Sequence, residues 1–318
     1  MESPLISVVF TSYNHKEYLC QALDSLLAQT FTDFELIIID DCSTDGSQEI
    51  LSEYAKRDSR IRLTLNSKNS GSYVYSTNQG AALATAPYLV FAQCDDWAEN
   101  DQLEKLYFAI EHTNSGVVFS KSNLVDERGK FIGTDFDTRD SRFKSRYGNG
   151  GLISSYDAFK ELMQGCIIPN LSAAMIKRSL FNELNGLSSE YKVLADWDFW
   201  IRLSTVETFY YVPDPLNNFR QHSTTIRSQV HIAKQMDELV NMYQKAISYH
   251  PEIKNYILNN AALNWVFYAH GNIRSWLKSF IACWKKGKKL TAWWWYYSFR
   301  GIIVAFCKYV IHCLKLDR

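Results

Sequence analysis

The sequence is poor in the residues that mark a disordered, fibrous or disulfide-stabilised protein. It has six prolines and 14 glycines in 318 residues, and no stretch is rich in either, which excludes collagen-like and low-complexity classes. Its seven cysteines form no CxxC pair and show no spacing typical of a zinc site. The N-terminal MESPLISVVF lacks a basic segment followed by a long apolar run, so we expect no signal peptide. Free thiols without an export signal indicate a reducing cytosol.

Net charge is also absent. Lys and Arg together number 34, as do Asp and Glu, so the total gives no sign of a polyanionic partner. The distribution is uneven, because residues 271–318 contain ten basic residues and one acidic residue, a net charge of +9. The preceding 270 residues carry a net charge of −9. The neutral total therefore combines an acidic body with a basic tail, which also holds five of the nine tryptophans.

Short apolar runs alternate with segments of helical periodicity over the first 120 residues. The run FELIII at 34–39 is continuously apolar, which is typical of a strand buried on both faces. This alternation predicts an α/β fold with a mainly parallel sheet and helices on both faces. Ligands of such sheets bind beyond the carboxyl ends of the strands. Residues 126–155 are polar and lack periodicity, which predicts a long surface loop.

Acidic residues stand at three places of interest in this pattern. Asp40-Asp41 closes the run at 34–39, Asp95-Asp96 closes YLVFAQC, and Asp196 lies in LADWDFWIRL. Any one of these sites alone is also explained as a helix cap or a solvated strand end. Two acid pairs at the same edge of one parallel sheet are what a divalent cation and its phosphate ligands require, since Mg²⁺ and Mn²⁺ prefer hard oxygen donors.

Four ordered motifs give the chain a resemblance to a known family. They are TSYNHKEYL at 11–19, IIIDDCSTDGS at 37–47, FAQCDDW at 91–97 and ADWDFWIRL at 195–203. Together they resemble the signature of family 2 glycosyltransferases of bacterial surface-polysaccharide type, which have the GT-A fold. The resemblance implies an inverting enzyme that takes a sugar from a nucleotide diphosphate donor and uses Mg²⁺ or Mn²⁺.

The resemblance also implies roles for individual residues near the nucleotide. Thr11 and Tyr13 match the residues that contact the base, with the tyrosine ring lying against the pyrimidine. Asp41 matches the carboxylate that accepts the N3–H of uracil or thymine, a contact that cytosine does not offer. Asp95 matches the residue that binds the ribose hydroxyls, and Asp96 matches the metal-binding carboxylate. Asp40 is expected to cap the turn that follows it.

A second group of implied roles lies in the later motifs. Asp196 matches the general base that removes the proton from the acceptor hydroxyl, although Ala195 replaces the usual glutamate before it. The alternative is that Asp196 is a helix N-cap, and Asp198 is expected to complement the helix dipole. His222 matches a histidine near the diphosphate or metal, the alternative being a surface-loop histidine.

Two departures from the family pattern weaken individual contacts. Gln93 stands where many relatives carry an acid, so metal affinity and metal dependence are expected to be lower than in a triple-acid site. Thr77 replaces an arginine beside Asn78, which leaves a phosphate contact there doubtful. Cys42 and Cys94 flank the acid pairs without a base partner in the motif and are expected to be small filler residues.

The motifs divide the chain into a catalytic part and a helical extension. We predict a glycosyltransferase domain at 1–225, with a nucleotide-binding half at about 1–120 and an acceptor half at about 121–225. Residues 226–318 are predicted to be a helical C-terminal region that ends in the basic aromatic tail at 271–318.

The tail has the pattern of a helix that lies on a membrane. Residues 293–314 would be about 33 Å long as a helix, enough to cross a bilayer. Arg300 and Lys308 lie inside this segment, and each costs about 2.5–3.5 kcal/mol near the bilayer centre. A cationic stripe surrounded by Trp and Tyr favours an interfacial helix over a spanning one. A pair of protein-packed helices with a solvated basic face is the alternative.

These observations predict a cytoplasmic enzyme, peripheral on the inner face of the cell membrane. It would move a sugar from a UDP- or dTDP-sugar to a hydroxyl of a glycan acceptor that is linked to a lipid, without a nucleic-acid partner. One alternative is a nucleotide-binding scaffold that has lost transfer, which Gln93 and Ala195 favour. Another is transfer to a soluble or protein acceptor.

Overall fold

The computed structural model describes residues 3–135, 141–223, 225 and 230–268. The chain divides into two compact units. The first comprises Met1–Phe159, Cys166–Ser189 and Ala195–Ser223, and the second comprises Lys160–Gly165, Glu190–Leu194 and Thr224–Arg318. The tail predicted at 271–318 lies outside the described residues, and the predicted domain boundary at 225 stays a prediction.

The first unit begins with the predicted alternation of strands and helices. Its elements in chain order are β1 Ile6–Ser12, α1 Lys16–Leu27, β2 Phe34–Asp40, α2 Ser47–Arg57, β3 Ile61–Leu65, α3 Tyr73–Leu83, β4 Tyr88–Gln93, β5 Trp97–Ala98 and α4 Gln102–Thr113. It continues with β6 Val117–Val125, β7 Phe131–Thr134, α5 Ser141–Tyr147, β8 Gly151–Ile153, the start of α6 Ser155–Gln164, a 3₁₀ turn Leu171–Ala173, β9 Ala174–Lys177, α7 Arg178–Glu183, α8 Ala195–Leu203 and β10 Phe209–Arg220.

Ten strands of the described residues join into one sheet. The order is β3-β2-β1-β4-β9-β6-β10-β5, with β7 beside β6 and β8 beside β10. The longest ladders, β1 with β2 and β4, β2 with β3, and β6 with β10, are parallel, whereas the antiparallel ladders are short. The predicted α/β fold with a mainly parallel sheet is therefore confirmed.

The core of the first unit lies where apolar strands meet amphipathic helices. All seven residues of β2 are buried, as expected for a strand covered on both faces. Helix α1 turns one apolar face inward, formed by Leu19, Ala22, Leu23 and Leu26. Each fully buried Leu or Ile side chain contributes roughly 1.5–3 kcal/mol to stability. Gly80 lets α3 approach the sheet closely, since a Cβ there would lie 2.4 Å from Val9 Cγ1.

The prediction of one long loop over 126–155 is wrong. This region contains β7, α5 and β8. A turn starts β7, because Asp126 Oδ1 accepts hydrogen bonds from the backbone of Arg128 and Lys130, both 2.9 Å, and Gly129 has φ +79°. Periodicity did not reveal β7, since its two large apolar residues, Phe131 and Ile132, are both exposed.

The second unit contains helices α9 Ile232–Tyr249 and α10 Lys254–Tyr268. Tyr243 and Ile257 are buried in it, and Tyr243 Oη donates a 2.7 Å hydrogen bond to the carbonyl of Met163. The carboxylate of Glu238, which is almost fully buried, accepts backbone N–H groups of residues 192–194 at 2.9, 2.9 and 3.2 Å. Among the described residues, no helix combines the length and hydropathy needed to cross a membrane.

Candidate active site at the carboxyl edge of the sheet

Parallel pairing brings three strand ends to one edge of the sheet. In the register of β1 with its two neighbours, Ser12 lies opposite Asp40 and Thr11 lies opposite Gln93. The segments that follow β1, β2 and β4 therefore leave the sheet side by side. β10 runs parallel to β6, and its end delivers His222 to the same place. Residues from four distant parts of the chain meet at this edge.

Asp95 and His222 are in direct contact there. Asp95 Oδ2 lies 2.9 Å from His222 Nε2, and the His222 side chain is only 2% exposed. The ring of His15 stands edge-on to the His222 ring, with centroids 5.3 Å apart. One ligand atom from each of these three residues lies within 4.8 Å of the others, so together they form a candidate metal site.

The spacing and chemistry of this group suit a divalent ion. Two neighbouring ligands of one ion, each about 2.1 Å from it, stand about 3 Å apart, which matches the 2.9 Å between Asp95 and His222. A carboxylate oxygen and imidazole nitrogens are all common ligands of divalent transition metals. The residues therefore fit the metal that the family resemblance implies.

The metal role predicted for Asp96 stays a prediction, and the structure shows protein hydrogen-bond donors around its carboxylate. The Asp96 carboxylate is 4% exposed and is used by protein donors. Its Oδ2 accepts hydrogen bonds from Asn170 Nδ2 and, at 3.0 Å, from Ser172 Oγ, while Oδ1 accepts the backbone N–H of Arg220 at 3.0 Å. Burial, followed by the negative charge of Asp95, raises the pKa of Asp96 well above its usual range.

A tight turn explains why two adjacent acids face different surroundings. The backbone N–H of Asp96 donates to the carbonyl of Gln93 at 3.3 Å, which bends the chain immediately after β4. Asp95 then meets His222, whereas Asp96 points into the interior. Strand periodicity ends at this turn, so the pattern of the sequence gave no basis for choosing between the two acids.

Arg220 supports the Asp95 side of the site and had no role in the sequence-based predictions. It is 2% exposed, although arginine is rarely buried. Its guanidinium lies over the rings of Tyr18 and Trp97, 4.3 and 4.8 Å from their centroids. It donates to four carbonyl oxygens, those of Asp95 (2.9 Å), Glu127 (2.9 Å), Asp126 (3.5 Å) and the Gln21 side chain (2.7 Å). The end of β10, two residues before His222, is thereby tied to the backbone of Asp95.

Asp41 is held as a fixed acceptor beside the end of β1. It is 5% exposed, and its backbone N–H donates to the Ser12 carbonyl at 2.9 Å. Its carboxylate accepts the Ser70 N–H at 3.1 Å and the Ser70 hydroxyl at 2.8 Å, with Asn66 Nδ2 at 3.3 Å. Tyr13 directly follows Ser12 at the end of β1 and is 44% exposed, whereas Thr11 is partly buried in β1. Their predicted base contacts stay predictions.

Asp40 makes the contacts of a turn cap, as its expected role requires. It is fully buried and accepts the backbone N–H of Ser43 at 2.8 Å, the Ser43 hydroxyl at 2.5 Å and Gln48 Nε2 at 2.9 Å. Ser43 Oγ also accepts the backbone N–H of Asn14 at 2.9 Å. The loops after β1 and β2 are thus tied together, and Cys42 takes the left-handed conformation at φ 66° between them.

Asp196 lies in the first turn of α8 and is partly exposed. The helix begins at Ala195, so Asp196 lies inside it and not at the N-cap position that was the alternative. Its Oδ1 accepts the N–H of Trp197 at 2.8 Å. Asp198 is buried and pairs with Arg202 at 2.8 Å. Arg202 also donates to the Gly186 carbonyl at 2.8 Å, so Asp198 anchors the helix.

Asn78 and Cys94 both make structural contacts. The side-chain amide of Asn78 donates to the Leu187 carbonyl at 2.8 Å and accepts the Leu187 N–H at 3.0 Å. These two hydrogen bonds account for an asparagine at this position without a phosphate contact. Cys94 is buried, and its Sγ lies 3.6 Å from His15 Nδ1. Burial raises the pKa of the Cys94 thiol far above its usual range, as suits a packed residue.

Similarities to known proteins agree with this architecture. TuaG of Bacillus subtilis (strain 168), a putative teichuronic acid biosynthesis glycosyltransferase, is 40% identical over 133 residues, which make up 41% of this chain and 52% of TuaG. S. aureus TarS 1–349, solved in complex with UDP-GlcNAc, has a TM-score of 0.65 at 18% identity, over 81% of this chain and 70% of that one. The mannosyltransferase PcManGT from Pyrobaculum calidifontis, solved with GDP-Man and Mn²⁺, has a TM-score of 0.58 at 16% identity, over 96% and 87%.

The two solved structures establish the GT-A fold, and a family model settles the family. The model described as "Glycosyl transferase family 2" matches residues 7–184, more than half of the chain. The matched stretch covers β1 from its second residue and all of β2 and β4, and Tyr13, Asp41 and Asp95 follow these three strands. The chain therefore belongs to glycosyl transferase family 2.

Proposed function

We propose that the protein is an inverting glycosyltransferase of the hexosyl-transferring type, active in the synthesis of a surface polysaccharide. It moves a sugar from a UDP- or dTDP-sugar to a hydroxyl of a glycan acceptor. The observation that carries the proposal is the 2.9 Å contact between Asp95 and His222 at the strand ends of a family 2 chain. The name of TuaG and the UDP-GlcNAc bound to TarS support the polysaccharide and the nucleotide-sugar donor.

The donor base is held by the residues that follow β1 and β2. The exposed ring of Tyr13 offers an aromatic face for a pyrimidine, with Thr11 beside it in β1. Asp41 is held by Ser70 and provides an oxygen that accepts the N3–H of uracil or thymine. Cytosine has no hydrogen at that position, so the contact selects UDP and dTDP donors.

Asp95 and His222 hold the divalent ion, Mg²⁺ or Mn²⁺. When bound there, the ion supplies Lewis-acid neutralisation of the departing diphosphate. The contribution of the protein is orientation, because Arg220 ties the backbone of Asp95 to the end of β10. The ribose contact first assigned to Asp95 is compatible with this role, since a carboxylate has two oxygens.

Asp196 is the general base for the acceptor. The acceptor oxygen attacks the anomeric carbon from the face opposite the nucleotide diphosphate, which leaves with the electrons of the broken C–O bond, while the Asp196 carboxylate takes the hydroxyl proton. This single displacement inverts the anomeric configuration. Asp198 is committed to Arg202 at 2.8 Å and is the weaker candidate for this task. The partial exposure of Asp196 at the start of α8 leaves it accessible to an acceptor.

A nucleotide and donor panel tests the donor side of this function. We expect UDP and dTDP to bind about ten- to a hundredfold more tightly than CDP, because cytosine cannot donate an N3–H to the Asp41 carboxylate and a hydrogen bond to a charged group contributes about 1.5–3 kcal/mol. Calorimetry measures the affinities, and release of UDP from a panel of UDP-sugars, with and without Mn²⁺, measures turnover. Equal affinity for CDP would remove Asp41 from base selection. UDP binding without turnover of any donor would instead favour the non-catalytic scaffold.

A lipid-linked acceptor would require the enzyme to work at a membrane surface. The charge of residues 271–318, +9 with five tryptophans, supports peripheral binding to anionic lipid on the cytoplasmic side. Each Lys or Arg near such a surface contributes about 1 kcal/mol, and salt weakens this attraction.

Vesicle co-sedimentation tests the membrane part separately. We expect the full chain to sediment with phosphatidylserine-containing vesicles at low salt, and high salt to release a good part of it. Deletion of 271–318 should abolish sedimentation while leaving UDP affinity unchanged, since the nucleotide motifs lie before residue 100. Resistance to carbonate would indicate a spanning segment. Absence of vesicle binding at low salt would favour a soluble or protein acceptor.

A further inference from the structure

The candidate metal site contains one carboxylate and two imidazoles. Asp95, His222 and His15 each place one ligand atom within 4.8 Å of the others. Of the other groups near this strand end, Gln93 is an amide and the carboxylate of Asp96 is occupied by Asn170 and Ser172. The cluster of ligand atoms found among the described residues therefore comprises one carboxylate oxygen and two imidazole nitrogens.

The backbone of His15 is fixed by its surroundings. On one side of it, the N–H of Asn14 donates to Ser43 Oγ at 2.9 Å, and on the other, the N–H of Lys16 donates to Asp45 Oδ2 at 2.9 Å. His15 itself precedes α1 and its carbonyl accepts the N–H of Tyr18 at 3.1 Å. These hydrogen bonds give the loop after β1 a defined conformation.

The ring of His15 is fixed as well. Its Nδ1 lies 3.6 Å from Cys94 Sγ, and its ring and the His222 ring form a T-shaped pair with centroids 5.3 Å apart. Tyr18 stacks on it at 6.1 Å. Metal-bound histidines are usually oriented by a contact to the ring nitrogen that does not bind the metal. The contact of Nδ1 with the buried Cys94 would orient the His15 ring in this way for a metal bound through Nε2.

We propose that His15 is the third protein ligand of the metal, so that two histidines and one carboxylate select a transition-metal ion such as Mn²⁺ over Mg²⁺. The inference rests on the proposed function, whose metal site it completes. Imidazole nitrogen binds divalent transition metals well, whereas Mg²⁺ prefers carboxylate and water oxygens. A site with one carboxylate and two imidazoles thus disfavours Mg²⁺ relative to a site built from several acids.

Metal binding to the full chain tests the proposal without relying on activity. Mn²⁺ affinity is measured by the loss of the free-ion electron paramagnetic resonance signal, and Mg²⁺ affinity by competition, each with and without UDP. We expect His15→Ala to weaken Mn²⁺ binding by at least about tenfold and Mg²⁺ binding by less than about threefold. The visible absorption band of bound Co²⁺ should also shift, because a nitrogen ligand has been lost.

Two comparison variants separate the possible outcomes. His112→Ala is the matched control, since His112 is exposed, stacks on Phe108 and is not part of the metal-ligand group found among the described residues; the variant should bind Mn²⁺ like the wild type. His15→Gln keeps a polar side chain and should show the same loss if the alanine variant folds poorly. If both His15 variants bind Mn²⁺ normally and with an unchanged Co²⁺ band, His15 is not a ligand.

The same data distinguish the failure of this inference from that of the proposed function. If Asp95→Asn loses Mn²⁺ while the His15 variants keep it, the site has two protein ligands and the proposed function stands. If Asp95→Asn also keeps Mn²⁺, the metal lies elsewhere, and both this inference and the metal role in the proposed function are wrong. A loss of Mg²⁺ affinity equal to that of Mn²⁺ would leave His15 as a ligand and overturn the selectivity.

Discussion

Asp95→Asn is expected to lower the rate of sugar transfer by about a thousandfold and to abolish Mn²⁺ binding. The substitution keeps the shape of the side chain and removes the negative charge that faces His222 at 2.9 Å. A metal bound at a developing negative charge contributes several kcal/mol to the transition state, and each 1.36 kcal/mol changes the rate tenfold. Stability to urea should change by less than about 1 kcal/mol, since Asp95 is at the surface of the site.

Asp96→Ala is the variant to compare with Asp95→Asn, because it shows which of the two adjacent acids binds the metal. It removes the acceptor of three hydrogen bonds, from Asn170, Ser172 and the backbone of Arg220, all in a buried setting. Each unsatisfied donor costs about 1–3 kcal/mol, so urea unfolding should show a loss of about 3 kcal/mol or more. Two results together would assign the metal role to Asp96. They are an Asp96→Ala protein that is stable but fails to bind Mn²⁺, and an Asp95→Asn protein that remains active.

Asp196→Asn is expected to reduce kcat by about 10²–10⁴-fold, the usual contribution of general base catalysis. The affinity for UDP should stay within a few-fold of the wild type, because Asp196 is assigned to the acceptor and the nucleotide residues lie on other strands. Steady-state kinetics and calorimetry with UDP provide the two measurements. A parallel loss of UDP affinity would indicate a role in the donor site instead.

Asp198→Ala serves as the control for helix α8. Asp198 is buried and its carboxylate pairs with Arg202 at 2.8 Å, so its removal leaves that guanidinium without its acidic partner. We expect a loss of stability of about 3 kcal/mol, as for other broken buried pairs. If Asp196→Asn retains turnover while a folded Asp198 variant loses it, the base is Asp198.

Local patterns in the sequence were sufficient for the architecture. The apolar run at 34–39 predicted a doubly covered strand, and β2 is buried along its whole length. Alternating strands and helices predicted the parallel sheet and hence the edge of the sheet that carries both Asp41 and Asp95. The cap expected of Asp40 involves Ser43, only three residues away, which is why a local argument identified it.

The sequence alone thus determined the fold class, the family and the edge of the sheet that carries the site, because these depend on periodicity and on motifs within a few residues. Only the tertiary structure decided which of the adjacent acids faces His222, and it brought His15 and Arg220 to the same site. The partners of Asp95 and Asp96 lie 127 and 124 residues away, at His222 and Arg220. The direction of a side chain beyond a strand end depends on such distant contacts and on one tight turn, and neither leaves a periodic signal in the sequence.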